Sequence, residues 1–439
     1  MEFIRRAYMA SDAGVRRNPQ IFMSTPQTLI ERFPTAAAQE NSPEAMLERL
    51  AEFQAQDAPV ISLYLDARVN EHGKRNFAPF VRKRMAEMKR TFPLHSSERE
   101  SFLEDCVRID RYLEDEPRQS TQGIVIFACS GANDFFDVGQ FDAPFERNRL
   151  TVSDRPHLYP LARLVSQNPP YAVLVADTNS AHIFVIATRR IVDKRDVQNV
   201  DTKEPRWGGF TQNRFQRHID DFQLRHAKEV VDVLERTVRD DQIDKVIIAG
   251  DHETIIPLLR EQMTKELAGK IIDVMTLGVD TPEQKILDDS LTVLQRHNSV
   301  SDMDKVQRLM NEYRADDLAV VGVPQTIAAL SNGQVEELLI SAKADDLLFD
   351  AQEAENVLKA YHVDGRPLPQ LDQRSLADEL VRQAQQVSSA RITFIEDAER
   401  LKDVGGVGAL LRYRISAEHA TPYGESAAVA PSEALVSAS

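Results

Sequence analysis

The sequence predicts an α/β protein of three folded units, an α+β unit followed by two layered α/β units. Three observations carry this. Short apolar runs of strand length, among them VISLYLDA, GIVIFACSG, YAVLVAD, KVIIAG and VEELLIS, recur along the chain between turn residues. Stretches with the helical period lie between them, so strand and helix alternate in the manner of a layered sheet. A chain of 439 residues is also too long for one ordinary core.

Residues 1–44 are mixed and polar, with Pro19, Pro26 and Pro34 interrupting any periodicity, and are expected to form a poorly ordered leader. The first unit, 45–166, opens with the helical MLERLAEF. In VISLYLDA the sets Val60, Ser62, Tyr64 and Ile61, Leu63, Leu65 form the two faces of a strand. Charged helices are expected around 80–90 and 98–113, and GIVIFACSG, DFFDVGQF and RNRLTVSD supply further strands.

The central unit, 167–279, begins with YAVLVAD and HIFVIAT, separated by Thr178, Asn179 and Ser180, which read as a turn between neighbouring strands. A polar stretch follows, then a long helix over about 212–239, where Phe215, Ile219, Phe222, Val230, Leu234 and Val238 fit one face. KVIIAG reads as a buried strand, Asp251 as the cap of the next helix, and IIDVMTL as a further strand. The third unit, 280–416, starts after Thr281-Pro282 with helices to about Tyr313. LAVVGV, a helix in QTIAALSNG, VEELLIS, a helix over 375–387, ARITFIED and VGALLRYRI complete it. Gly333 stands where a helix would stop, and Gly405, Gly406 and Gly408 loosen the backbone ahead of the last strand. Residues 417–439 are small and polar, as in a disordered tail.

The formal net charge of −16 argues against indiscriminate binding to nucleic acid, because phosphate contacts need local positive charge. A ligand of a defined RNA surface instead needs basic patches on an acidic body. No stretch has the apolar length of a membrane helix, and MEFIRRAYMASDAGVRRNPQ lacks the apolar core of a signal peptide, so a cytoplasmic protein is expected. Cys106 and Cys129 are too few for a disulfide framework or a zinc site and read as small buried hydrophobes. Asp251, His252 and Glu253 are adjacent, point in different directions and have no partner cluster, so no metal site is expected. Gly405-Gly406-Val407-Gly408 precedes a strand and lacks the Lys-Ser/Thr of a nucleotide loop, and no cofactor is expected.

The most informative segment is KEPRWGGFTQNRFQRHIDDFQLRH. Gly208 and Gly209 permit backbone angles closed to other residues and suit a sharply turned tip. Trp207, the only tryptophan, and Phe210 bracket the glycines, and aromatics beside basic residues can stack on nucleobases. Thr211 is placed to cap the helix and Gln212 to project from the tip. Arg214, Arg217, Arg225 and Lys228 lie along the helix, where they can meet phosphates. The plainer alternative is that Trp207 pins the loop to its own domain and the cations form a solvated face.

The order of elements, the glycine pair and the long basic helix resemble the middle domain of the archaeo-eukaryotic peptide-release and Pelota-like factors, whose Gly-Gly-Gln loop reaches the peptidyl-transferase centre. His226, flanked by Arg225 and Lys228, looks like the histidine that the family carries on this helix. ALSNGQVEELLIS and DVGGVGALLRYRI resemble the family's third domain, and VISLYLDA and GIVIFACSG look like strands of its first. The resemblance spans roughly residues 46–415. Two departures stand out. The glutamine is displaced by two positions in Gly208, Gly209, Phe210, Thr211, Gln212, and the Asn-Ile-Lys-Ser stop-codon motif is missing. The nearest basic stretches in the first unit are Lys74-Arg75, Arg82-Lys83-Arg84 and Lys89-Arg90, which suit phosphates and not a sequence.

The resemblance therefore implies a ribosome-binding factor that occupies the aminoacyl site and protects idle or stalled ribosomes without decoding stop codons, similar to hibernation factors of the Balon type. Its third domain would meet a translational GTPase, by resemblance elongation factor Tu. One alternative is a rescue enzyme, a peptidyl-tRNA hydrolase in which Gln212 orients water. Another is an interaction adaptor that kept the fold and left the ribosome.

Overall fold

The computed structural model describes residues 42–55, 58–115, 118–198, 212–361 and 372–414, with backbone alone for 212–220. All of them fall within the compact unit Arg32–Ser439. The architecture is mixed α/β with three sheets.

The first sheet has the order β3-β2-β1-β4 and is antiparallel throughout, from β1 (Val60–Asp66), β2 (Gly123–Cys129), β3 (Phe135–Phe141) and β4 (Arg149–Ser153). Strand alternation sorts its side chains between two layers. Ile61, Leu63 and Leu65, with Ile124 and Ile126, pack on α2 (Ala78–Met88) and α3 (Ser97–Glu114) through Val81, Met85, Phe102 and Ile109. Tyr64, Val125 and Phe127 face α1 (Pro43–Glu52) and α4 (Tyr159–Gln167). Helix α1 begins with a proline, and the Ser42 side chain accepts from the Ala45 N–H as its cap, so the last residues of the expected leader already belong to a helix. The rest of that leader, 1–41, lies outside the described residues, as does the tail beyond 414.

The central sheet has the order β7-β6-β5-β8-β9, from β5 (Tyr171–Ala176), β6 (Ser180–Ala187), β7 (Arg190–Gln198), β8 (Val246–Gly250) and β9 (Ile271–Met275). Strands β5, β8 and β9 run parallel, while β6 and β7 form an antiparallel extension. Strand β7 occupies what the pattern reads as a polar connector. It is an edge strand whose one buried residue is Val197, so it needs almost no apolar content. Ala172, Leu174 and Ile248 meet α5 (Gln212–Asp240), α6 (Ile255–Gln262) and α7 (Lys265–Gly269). Tyr171, Val173, Val175 and Ile247 meet the first half of α8 (Glu283–Arg314) through Ile286, Leu291 and Leu294.

The helices expected up to Tyr313 are thus one helix of 32 residues. It contains no glycine or proline to stop it. Its second half crosses to the third sheet, where Val306 and Leu309 pack on Leu339, Ile395 and Leu410. That sheet has the order β10-β13-β11-β12, from β10 (Ala319–Val321), β11 (Val335–Ser341), β12 (Arg391–Ile395) and β13 (Val407–Leu411), with β11 and β12 parallel and the other pairs antiparallel. A Cβ on Gly408 would lie 2.7 Å from Leu309 Cδ2, so this glycine is what lets α8 approach β13.

The opposite face of the third sheet carries α9 (Val323–Ser331), α10 (Ala351–Tyr361) and α11 (Gln373–Gln386). These belong to the same apolar cluster as α1, α4 and the first sheet, so the first and third sheets share one core. Gly405 and Gly406 adopt φ of +77° and +81° in the turn before β13.

Candidate functional site

The helix that bears the predicted tip is held on the central sheet by its C-terminal half. Ala227, Val230, Val231, Leu234 and Val238 are buried against Leu174, Ile183 and Ile248. Arg195 on β7 fixes the same end, donating to Thr237 Oγ1 at 2.6 Å and to Asp241 Oδ2 at 3.0 Å, and pairing with Asp193 at 2.8 Å. Sequence reading missed Arg195 because it sits on the unrecognised β7. The alternation in RIVDKRDVQ was the available signal.

Among the described side chains of α5, the first to be fully buried is His226. The helical backbone runs on from there to Gln212, its first residue, a distance of about 21 Å at 1.5 Å per residue. Arg225 and Lys228 are exposed and make no ion pair among the described residues. Positions 214, 217, 225 and 228 fall on one stripe by helical spacing, with exposed Asp221 between them. The side chains of Gln212, Arg214 and Arg217 lie outside the described part, and Trp207, Gly208, Gly209, Phe210 and Thr211 lie outside it altogether.

His226 is buried on α5 opposite the turn between β5 and β6, and neither ring nitrogen has a hydrogen-bond partner among the described residues. Burial pushes its pKa below the usual histidine range, against the opposing pull of the Ser180 backbone and the Glu229 and Asp177 carboxylates. Asp177 shapes that turn by accepting from the Asn179 and Ser180 N–H groups, both at 2.7 Å. Among the described side chains of α5, full burial thus begins at His226.

Other candidates resolve into structural roles. Asp251 accepts from the Glu253 and Thr254 N–H groups at 2.7 and 3.0 Å, which tightens the turn ahead of α6, while the cap residue itself is Thr254. No group of His, Cys, Asp or Glu among the described residues is arranged to hold a metal. Cys106 and Cys129 are free thiols, pushed up to about 12 and about 11 by burial. In the first unit, Arg75 donates to the Ala67 and Arg118 carbonyls and Arg84 pairs with Glu87, whereas Arg82, Lys83, Lys89 and Arg90 are exposed. No helix among the described residues is long and apolar enough to cross a membrane.

The family model described as bacterial archaeo-eukaryotic release factor family 10 matches residues 156–295, and the model of eRF1 domain 3 matches residues 299–415. Together they account for more than half of the chain. Peptide chain release factor subunit 1 of Archaeoglobus fulgidus is 21% identical over 401 residues, covering 84% of this chain and 96% of that protein. The eukaryotic peptide chain release factor subunit 1 of Schizosaccharomyces pombe is 22% identical over 303 residues, covering 62% of this chain and 70% of that protein. Among solved structures, the archaeal translation termination factor aRF1 is 18% identical with a TM-score of 0.23, covering 84% of this chain and 97% of that one. A ribosome-bound archaeal Pelota with ABCE1 is 13% identical with a TM-score of 0.37, covering 85% and 95%. By these two successive family matches, the chain belongs to the archaeo-eukaryotic release-factor family.

Proposed function

We propose that the protein is a ribosome-associated translation factor that occupies the aminoacyl site of idle or stalled ribosomes and does not decode stop codons. The observation that carries this reading is the basic stripe on α5, where Arg225 and Lys228, exposed and without an ion pair among the described residues, continue the line of Arg214 and Arg217 from the glycine pair. On a body of net charge −16 such a stripe is the local positive surface that phosphate contact requires. Trp207, Gly208, Gly209, Phe210, Thr211 and Gln212 then meet ribosomal RNA near the peptidyl-transferase centre. The third domain meets a translational GTPase, elongation factor Tu in a bacterium, and the site of action is the cytoplasm.

The test is cosedimentation with purified 70S ribosomes over a salt series. Binding is expected to weaken steeply with salt, and Arg225→Gln and Lys228→Gln are each expected to lower the slope of log affinity against log salt by about one. Failure to cosediment even at low salt would leave the adaptor reading. A hydrolytic reading has its own support in the glycines and the nearby glutamine. Release of peptide from peptidyl-tRNA on ribosomes, abolished by Gln212→Ala, would establish that enzyme in place of simple occupancy.

A further inference from the structure

A cavity of about 370 Å³ lies where the first and third sheets meet, lined by Phe145, Tyr159 and Leu164 and by the segment that follows β11. Its charges are unbalanced. Arg147, Arg149, Lys343 and Arg374 line it together with Arg163, against Glu146 and Asp345. Arg163 takes Glu146 for itself at 2.7 Å, which leaves Asp345 facing four cations. Among the described residues Arg147, Lys343 and Arg374 make no ion pair, and all three are exposed at the rim.

Arg149 sits deeper and is fixed from behind. Its Nη1 donates to His157 Nε2 at 2.9 Å, His157 Nδ1 donates to Asp378 at 2.5 Å, and Asp378 accepts from the Leu158 and Tyr159 N–H groups, both at 2.9 Å. This relay orients the guanidinium and spends the Asp378 charge on α4 and His157, so Arg149 is positioned without an ion pair of its own among the described residues. Burial lowers the Arg149 pKa, and Arg147 and Arg374 lower it further, while Asp345 and Tyr64 act the other way. Crowded cations in a partly desolvated hollow repel one another, and an anion placed among them relieves that cost. Guanidinium forks match the geometry of phosphate oxygens. The volume is at the small end of the roughly 300–1,000 Å³ typical of ligand sites, room for a small molecule and not for a folded RNA.

We propose that this cavity binds a small phosphate-bearing anion, held by Arg147, Arg149 and Arg374 with Lys343 at its rim. Because β4 supplies Arg149 while α11 supplies Arg374, the bound anion clasps the first and third units together. No described residue of α5 lines this site, and its test needs no ribosome.

The test uses the full-length protein without ribosomes, titrated by calorimetry and followed by thermal melting with inorganic phosphate, pyrophosphate and ATP, at ionic strength matched with sodium chloride. Saturable one-to-one binding and a rising melting temperature are expected for at least one of the three, and the tightest identifies the source of the phosphate. The double variant Arg147→Gln/Arg374→Gln is expected to weaken binding tenfold or more, while melting no earlier than the parent in the absence of anion, because it removes repulsion. Lys343→Gln, on a separate exposed segment, should weaken binding severalfold. No saturable binding by any of the three overturns the proposal, as does equal binding by the double variant. Arginine-dependent binding of a short RNA oligonucleotide, with none of the three anions bound, overturns it in favour of an RNA backbone.

Discussion

The first and third sheets lean on each other directly, whereas the central sheet keeps the apolar residues of both its faces for its own helices and for α8. At the first joint the contact is continuous. Leu158, Leu161 and Ala162 share a cluster with Leu330, Leu376 and Leu380, the Tyr159 hydroxyl donates to the Ser341 carbonyl, and Gln386 Nε2 donates to the Ala51 carbonyl at 2.6 Å. The central sheet meets its neighbours through charge and through the helix. Lys194 pairs with Glu283 at 2.9 Å, Lys245 donates to Asn298 at 2.6 Å, and Arg190 approaches Asp142 only to 3.9 Å. Apolar cores are cooperative and resist separation, while exposed charge pairs contribute little each. The difference teaches that α5 belongs to the part least tied to the rest.

The contrast can be broken most forcefully at the far end of α8. Leu309→Ala removes a fully buried side chain that fills the space over Gly408, and a loss of about 2–5 kcal/mol is expected in urea unfolding. The loss should fall on the third sheet, leaving amide-exchange protection of β5 and β8 nearly unchanged. Uniform loss of protection across all three sheets would mean that the central sheet is not a separate cooperative unit.

Asp378→Ala attacks the other joint, since it strips the acceptor from His157 and from the two N–H groups that start α4. Two or three buried donors left without partners predict a loss of about 2–4 kcal/mol. Wild-type stability in that variant would show that the shared core holds the joint without its polar relay.

The smallest effect belongs to the central unit and depends on pH. His226 has a lowered pKa when folded and a value near 6.5 when unfolded, so below about pH 6.5 the unfolded chain takes up a proton that the folded one excludes. Its stabilising contribution is therefore complete above that pH and declines as pH falls toward the folded value. His297 acts with the same sign, its pKa lowered by burial and by Lys245. Melting curves from pH 7.5 to 5.5 should show a decline that His226→Leu flattens in part. An identical decline in the variant would remove His226 from the account.

Much of the fold was legible because its strands are buried on both faces or alternate cleanly, as in VISLYLDA and KVIIAG. Strand β7 was not, because an edge strand with charged residues has no apolar signature, and α4 was not, because Pro160 interrupts a run of only nine residues. At the candidate site the local motif was readable, since Arg225 and Lys228 lie on the continuous helix that the 3.6-residue period announces. The arginine cavity was invisible for the opposite reason. Its cations come from 147, 149, 343 and 374, and only the packing of two sheets brings them together.

Helix α8 has a stretch, 295–305, in which no residue is fully buried, with Val300 and Met303 half exposed, yet its two ends are embedded in different sheets. At 32 residues it is a rod about 48 Å long. A rod of that length turns a tilt of about five degrees at one end into a displacement of about 4 Å at the other. The separation of the central and third sheets is accordingly set by a lever of fixed length, so a small rocking motion at either attachment is magnified at the other.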